Sequence, residues 1–214
     1  MNLNKHKILK LTFFLLAMAG NPVFAEKYMF YLHGAIVESQ GAKAVSPSFG
    51  EYKYDDILAA FRKEGFTVMS EVRKPNTDIK EYARTITEQI NGLLKKGIPA
   101  KDITVVGASK GALIAMHVSD FVKNKEMNFV FLAACNDGNF ESFPEIRYYG
   151  NILSIYERSD GIGESCYRFR EKSAATVSHY KEIEISTGLE HGFLFRPLPE
   201  WMKPTVAWAN GDYK

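Results

Sequence analysis

The chain reads as an α/β protein: a mainly parallel sheet of about six strands with helices on both faces. Three observations predict this. Six short apolar or β-branched runs recur along the sequence, and most are separated by segments of helical periodicity. No internal repeat or low-complexity linker interrupts the alternation. Once a leader is set aside, the 214-residue chain suits one domain with a real core. Strand–helix alternation of this kind implies a parallel sheet covered on both faces.

The sequence opens on MNLNKHKILKLTFFLLAMAGNPVFA. Lys5, Lys7 and Lys10 precede an apolar run from Leu11 to Ala19. That run is too short to span a bilayer, which takes about 20 apolar residues. A helix-breaking Gly-Asn-Pro follows, and Val23 and Ala25 stand at the −3 and −1 positions of a cleavage site. This is the grammar of a secretory signal peptide, the alternative being an uncleaved anchor. Residues 1–25 are therefore expected to be removed, and residues 26–214 to form a single domain. The expected location is periplasmic or secreted, in a bacterium, with no stable membrane anchor. Removing three lysines and no acid takes the formal net charge from +2 to −1. No basic stripe remains to bind nucleic acid.

The first strand is expected at 27–34, KYMFYLHG. From Tyr54, Ile57, Leu58 and Phe61 repeat at helical spacing, and Gly65 stops the helix. A strand follows at 66–72. The next helix has Asp78 and Glu81 in capping-box spacing, an apolar stripe from Ile79 to Leu94, and Gly97 as its stop. Strands are then expected at 102–107, 128–135, 151–157 and 181–186. A helix fills 110–124, a short one lies near 165–172, and a final aromatic helix carrying Trp201 and Trp208 bends around Pro204.

In sheets of this kind sites form at the carboxyl ends of strands. Gly107-Ala108-Ser109-Lys110-Gly111 lies between a predicted strand and a predicted helix. The G-x-S-x-G pattern is weak by itself, but this context is that of a nucleophile elbow. The turn forces an unfavourable backbone on the serine, so Gly107, Ala108, Gly111 and Ala112 supply the lack of bulk it needs. A serine also needs a base. His6 leaves with the leader, His117 is two helical turns past Ser109, His179 sits in a polar stretch, and His33 suits a structural role. His191 occupies a glycine-bounded loop after the last strand, where it can reach Ser109. The acid that fixes its tautomer is expected to be Asp160, just past the strand 151–157, with Asp137 as the alternative. Backbone N–H groups of Lys110 and of Ala35, in the loop after the first strand, suit an oxyanion hole.

LHGA, GASKGA, SDGIG and LEHGF stand in the order and strand-end positions of the α/β-hydrolase superfamily, which residues 27–210 resemble. The resemblance implies a Ser109–His191–Asp160 triad with Ala35 and Lys110 as oxyanion donors. It is closest to small exported bacterial hydrolases. About fifteen residues between the strands at 128–135 and 151–157 leave no room for a helical cap. Phe140, Phe143, Tyr148 and Tyr149 are wall candidates or loop anchors, and Arg196 and Lys110 are candidate anion-binding or structural charges. The expected activity is hydrolysis of a small carboxylic ester or thioester, without cofactor or metal. A silent binding protein and an acyltransferase are the alternatives. The two cysteines, Cys135 and Cys166, are consistent with one disulfide or two buried thiols. In the hydrolase topology both follow neighbouring strands near the catalytic end, which favours a disulfide tying the acid-bearing loop to the strand beside it.

Overall fold

The computed structural model describes residues 26–214, so the expected signal peptide lies outside the described residues. In chain order the elements are β1 (Tyr28–Leu32), α1 (Ala35–Gln40), β2 (Val45–Ser46), β3 (Gly50–Glu51), α2 (Tyr54–Lys63), β4 (Thr67–Met69) and α3 (Ile79–Lys95). There follow β5 (Ile103–Ala108), α4 (Lys110–Val122), β6 (Asn128–Leu132), α5 (Asp137–Ser142) and β7 (Gly150–Glu157). α6 (Tyr167–Lys172), β8 (Val177–Ile185), a 3-10 segment (Glu190–Phe195) and α7 (Pro199–Ala209) complete the chain.

Six strands form one sheet in the order β4-β1-β5-β6-β7-β8, every pair parallel. The expected sheet is thus present. Side chains alternate between its faces with the two-residue period of a strand. Met29, Tyr31, Val106, Val130 and Leu153 face a core with α2, the 3-10 segment and α7, where Phe61, Phe193 and Trp201 are buried. Phe30, Leu32, Val105, Phe129 and Ile152 face a second core under α3, α4 and α6. Covering on both sides explains why β5 and β6 are buried at every position. Asp78 caps α3 by accepting the Glu81 N–H at 2.9 Å, and Gly65 and Gly97 follow α2 and α3 at positive φ.

Two local expectations are corrected. The strand expected at 66–72 stops at Met69, and the Ser70 hydroxyl instead donates to the Tyr31 carbonyl at 2.6 Å. β8 starts at Val177 rather than 181, so His179 lies inside it. There it is exposed, bonded through Nδ1 to Asn151 Oδ1 at 2.8 Å, and stacked on Tyr213. α1 and the β2–β3 hairpin were not expected; each is too short to show a period. α7 runs through Pro204. Between β6 and β7 the only helix among the described residues is six-residue α5, so no cap domain stands there.

Cys135 and Cys166 form a disulfide across 31 positions, both about 1% exposed. It ties the end of β6 to the start of α6, and the Glu164 N–H donates to the Cys135 carbonyl at 2.7 Å beside it. The loop following β7 is thereby pinned at its far end. Replacing both cysteines by serine should lower the free energy of unfolding by about 3.5 kcal/mol through released chain entropy, read from urea melts of the oxidised protein and the double variant.

Candidate active site

The site grows from how closely α4 crosses the sheet. A Cβ on Gly111 would sit 1.9 Å from the Leu32 carbonyl oxygen, and one on Gly107 would sit 2.3 Å from the Gly111 carbonyl oxygen. Only hydrogen fits at either place, so the turn from β5 to α4 is packed backbone against backbone. Ser109 makes that turn at φ 53° and ψ −121°. For a residue with a side chain this is a strained conformation, costing on the order of 1–3 kcal/mol. Its N–H is held by the Leu132 carbonyl at 2.9 Å, and its Cβ lies 3.5 Å from where a Cβ of Gly34 would stand. Ser109 is half-buried.

Lys110 is the first residue of α4 and Ala35 the first of α1. The N–H of a first helical residue has no partner within its helix, and each lies beside the Ser109–Gly34 contact. A chain of buried groups links the two helix starts. Glu38, on α1, accepts from Lys110 Nζ at 2.6 Å and from Arg73 Nε at 3.1 Å. The Arg73 side chain is 1% exposed, and its Nη2 donates to the His33 carbonyl at 2.5 Å. The Arg73 N–H donates to His33 Nε2 at 3.0 Å, so the His33 ring carries its proton on Nδ1 and donates it to the Gly34 carbonyl at 2.8 Å. Burial, with Arg73 beside it, lowers the His33 pKa to about 4. Burial pushes the Glu38 carboxyl up, but the bonds from Lys110 and Arg73 outweigh it and hold it below its ordinary value. Lys110 is thus a structural charge, and His33 has the structural role expected of it.

His191 Nδ1 and Asp160 Oδ2 lie 2.7 Å apart, with the Asp160 side chain 1% exposed and that of His191 12%. Asp160 Oδ1 also accepts the Ile162 N–H at 2.9 Å. Both residues follow strands of the one parallel sheet, β7 and β8, at the end where Ser109 follows β5. No hydrogen bond joins His191 to Ser109 among the described residues. Asp137 is exposed and pairs with Arg168. His117 is buried against Phe121 and Phe143.

Among the described residues five non-glycine residues take positive φ, and four of them, Asn76, Ser109, Ala133 and Glu190, lie at the carboxyl end of the sheet. A cavity of about 620 Å³ borders Lys110, with Asn76, Thr77, Lys80 and Phe143 in its wall. Another, of about 480 Å³, borders the His191 loop, with Ser48, Phe49, Leu189, Glu190 and Arg196. Tyr148 anchors the core and Phe140 packs on Phe169, whereas Phe143 faces the first cavity. Sequence reading missed Glu38 and Arg73. A charge in a polar stretch reads as solvated, and only the 35-residue separation closed by the fold buries them.

Two outcomes follow. Gly111→Ala should cost about 3 kcal/mol of stability in a denaturant melt, since the new methyl meets backbone. His33 stays neutral in the folded protein down to about pH 4, while in the unfolded chain it takes a proton near pH 6.5. Its contribution is therefore complete above that value and is lost as pH falls toward 4. Between pH 7.5 and pH 5 this removes about 2 kcal/mol, a loss that His33→Gln should abolish in paired melts.

No protein-family model matches the chain, and no curated protein is similar to it in sequence. Solved structures do resemble it. An esterase of Pyrococcus furiosus has 16% identity, covers 87% of this chain and 83% of its own, and gives a TM-score of 0.61. SOBER1 of Arabidopsis thaliana has 12% identity, covers 89% of this chain and 100% of its own, and gives 0.57. A predicted CIB-like hydrolase of Thermoplasma acidophilum has 15% identity, covers 87% of each chain, and gives 0.55. Together with the strand order and the missing cap, these likenesses establish that this chain has the α/β-hydrolase fold, in a minimal form.

Proposed function

We propose that the protein is a serine hydrolase that cleaves small carboxylic esters or thioesters through an acyl-enzyme. The observation that carries this reading is the 2.7 Å contact between His191 Nδ1 and the buried Asp160 carboxylate. An imidazole that donates from Nδ1 to a carboxylate presents the lone pair of Nε2, the atom that a general base needs. Ser109, on its strained turn at the same end of the sheet, is the nucleophile. His191 takes the hydroxyl proton as Oγ attacks the acyl carbon, and Asp160 stabilises the imidazolium that forms. The N–H groups of Ala35 and Lys110 receive the oxyanion, held in position by the Glu38–Lys110 bridge. His191 then returns the proton to the leaving alcohol or thiol, and water repeats the sequence to free the acid.

Support for the substrate class comes from the segment between β6 and β7, which bears only α5 and leaves the site open. Two cavities, of about 620 and 480 Å³, lie at this end of the sheet beside Lys110 and beside the His191 loop. The names of two of the similar structures, an esterase and a hydrolase, agree with this chemistry. The protein acts after export and removal of residues 1–25; a buried disulfide suits an oxidising compartment.

A fluorophosphonate probe should label Ser109 of the unaltered protein within minutes. Labelling should vanish in Ser109→Ala and slow by at least about 10³-fold in His191→Ala. Turnover of short acyl esters and thioesters should fall in parallel. A folded protein that takes no label overturns the proposal and leaves a binding protein with a hydrolase fold.

A further inference from the structure

We propose that Glu157 is the positioning residue for the Asp160–His191 pair; this rests on the reading of that pair as the acid and base. Glu157 ends β7 and is 1% exposed. Its carboxylate spans the two loops that carry the pair. Oε2 accepts the Thr187 N–H at 2.7 Å and the Thr187 hydroxyl at 2.6 Å, both from the loop that follows β8. Oε1 accepts the Ser159 hydroxyl at 3.2 Å, the Ser159 N–H at 3.4 Å and the Gly188 N–H at 3.4 Å. Ser159 immediately precedes Asp160, and Thr187 and Gly188 lead into His191.

The connection continues one step further. The Ser159 oxygen accepts the N–H of Glu190 at 3.2 Å. Glu190 holds φ 51°, a left-handed conformation, and is the residue before His191. The carboxylate thus orients Ser159, and Ser159 holds the strained turn that aims the imidazole. Burial pushes the Glu157 carboxyl up, yet the bonds from Thr187 and Ser159 more than offset it, so the group is held as a carboxylate.

A charged carboxylate is the group this place requires. Both oxygens face backbone N–H groups, and backbone donors cannot reverse. An amide in either orientation would point its own N–H₂ at one of them, leaving buried donors opposed. An aspartate is one methylene too short to reach both loops. No step of the proposed reaction uses Glu157 directly, so its effect passes through the geometry of the pair.

The test compares the unaltered protein with Glu157→Gln and the milder Ser159→Ala, using p-nitrophenyl acetate across about pH 5 to 9. For Glu157→Gln, kcat should fall on the order of 10²-fold while KM changes by less than about threefold. The acid limb of kcat/KM should move to lower pH, because a misaligned carboxylate stabilises the imidazolium less. Ser159→Ala should show the same pattern at about 10-fold. It decides the matter by itself if Glu157→Gln does not fold. Unmoved kcat and an unmoved acid limb in folded variants overturn the proposal, and so does lost activity with the limb in place. If the unaltered protein hydrolyses no ester, the functional reading fails instead. The imidazole ¹⁵N titration of His191 then still decides the positioning role, which is overturned if the titration is identical in all three proteins.

Discussion

The approach of α4 to β1 is the constraint on which the carboxyl end of this molecule depends. Gly111 lies against the Leu32 carbonyl and Gly107 against the Gly111 carbonyl, at separations that admit no side-chain carbon. This contact sets the depth of the helix start and leaves Ser109 no ordinary backbone conformation. It also brings the first residues of α1 and α4 side by side, so that two helix N-termini, each with unpaired N–H groups, converge on one point. A looser crossing would relax the serine and separate those donors together.

Two buried carboxylates then stabilise the loops around that point, by different means. Glu38 is matched by charge, with Arg73 and Lys110 as its cationic partners. Glu157 is matched by neutral donors, the N–H and hydroxyl groups of Ser159, Thr187 and Gly188. Each group joins segments far apart in sequence, and each would be costly to bury without its full set of partners. The first joins the starts of α1 and α4 beside Ser109, and the second joins the loops that carry Asp160 and His191. The disulfide adds a covalent restraint where the loop after β7 ends.

Much of the fold was legible because strands and helices leave a periodic trace. The order of the elements, the cap of α3 at Asp78 and the turn at Ser109 could all be read from local residue types. The short pieces could not. α1 has six residues and buries only Val37 and Glu38, too few to establish a helical stripe. The first half of β8 lies at the sheet edge with a half-exposed face, so its apolar pattern fades before Lys181. Glu38, Arg73 and Glu157 were invisible as structural groups because a charged residue carries no local mark of burial.

By itself the sequence determined a parallel α/β sheet, a serine between small residues at a strand-to-helix turn, and an acid and a histidine after later strands. These are local properties: backbone preference, side-chain size and hydrophobic period act over a few residues. Only the tertiary structure decided that Asp160 rather than Asp137 meets His191, that Cys135 bonds Cys166, and that Glu38 and Glu157 are buried. Those outcomes depend on which loops converge at the same end of the sheet. Apart from Ser159, the partners that make Glu38 and Glu157 tolerable to bury lie 30 to 72 residues away in the chain.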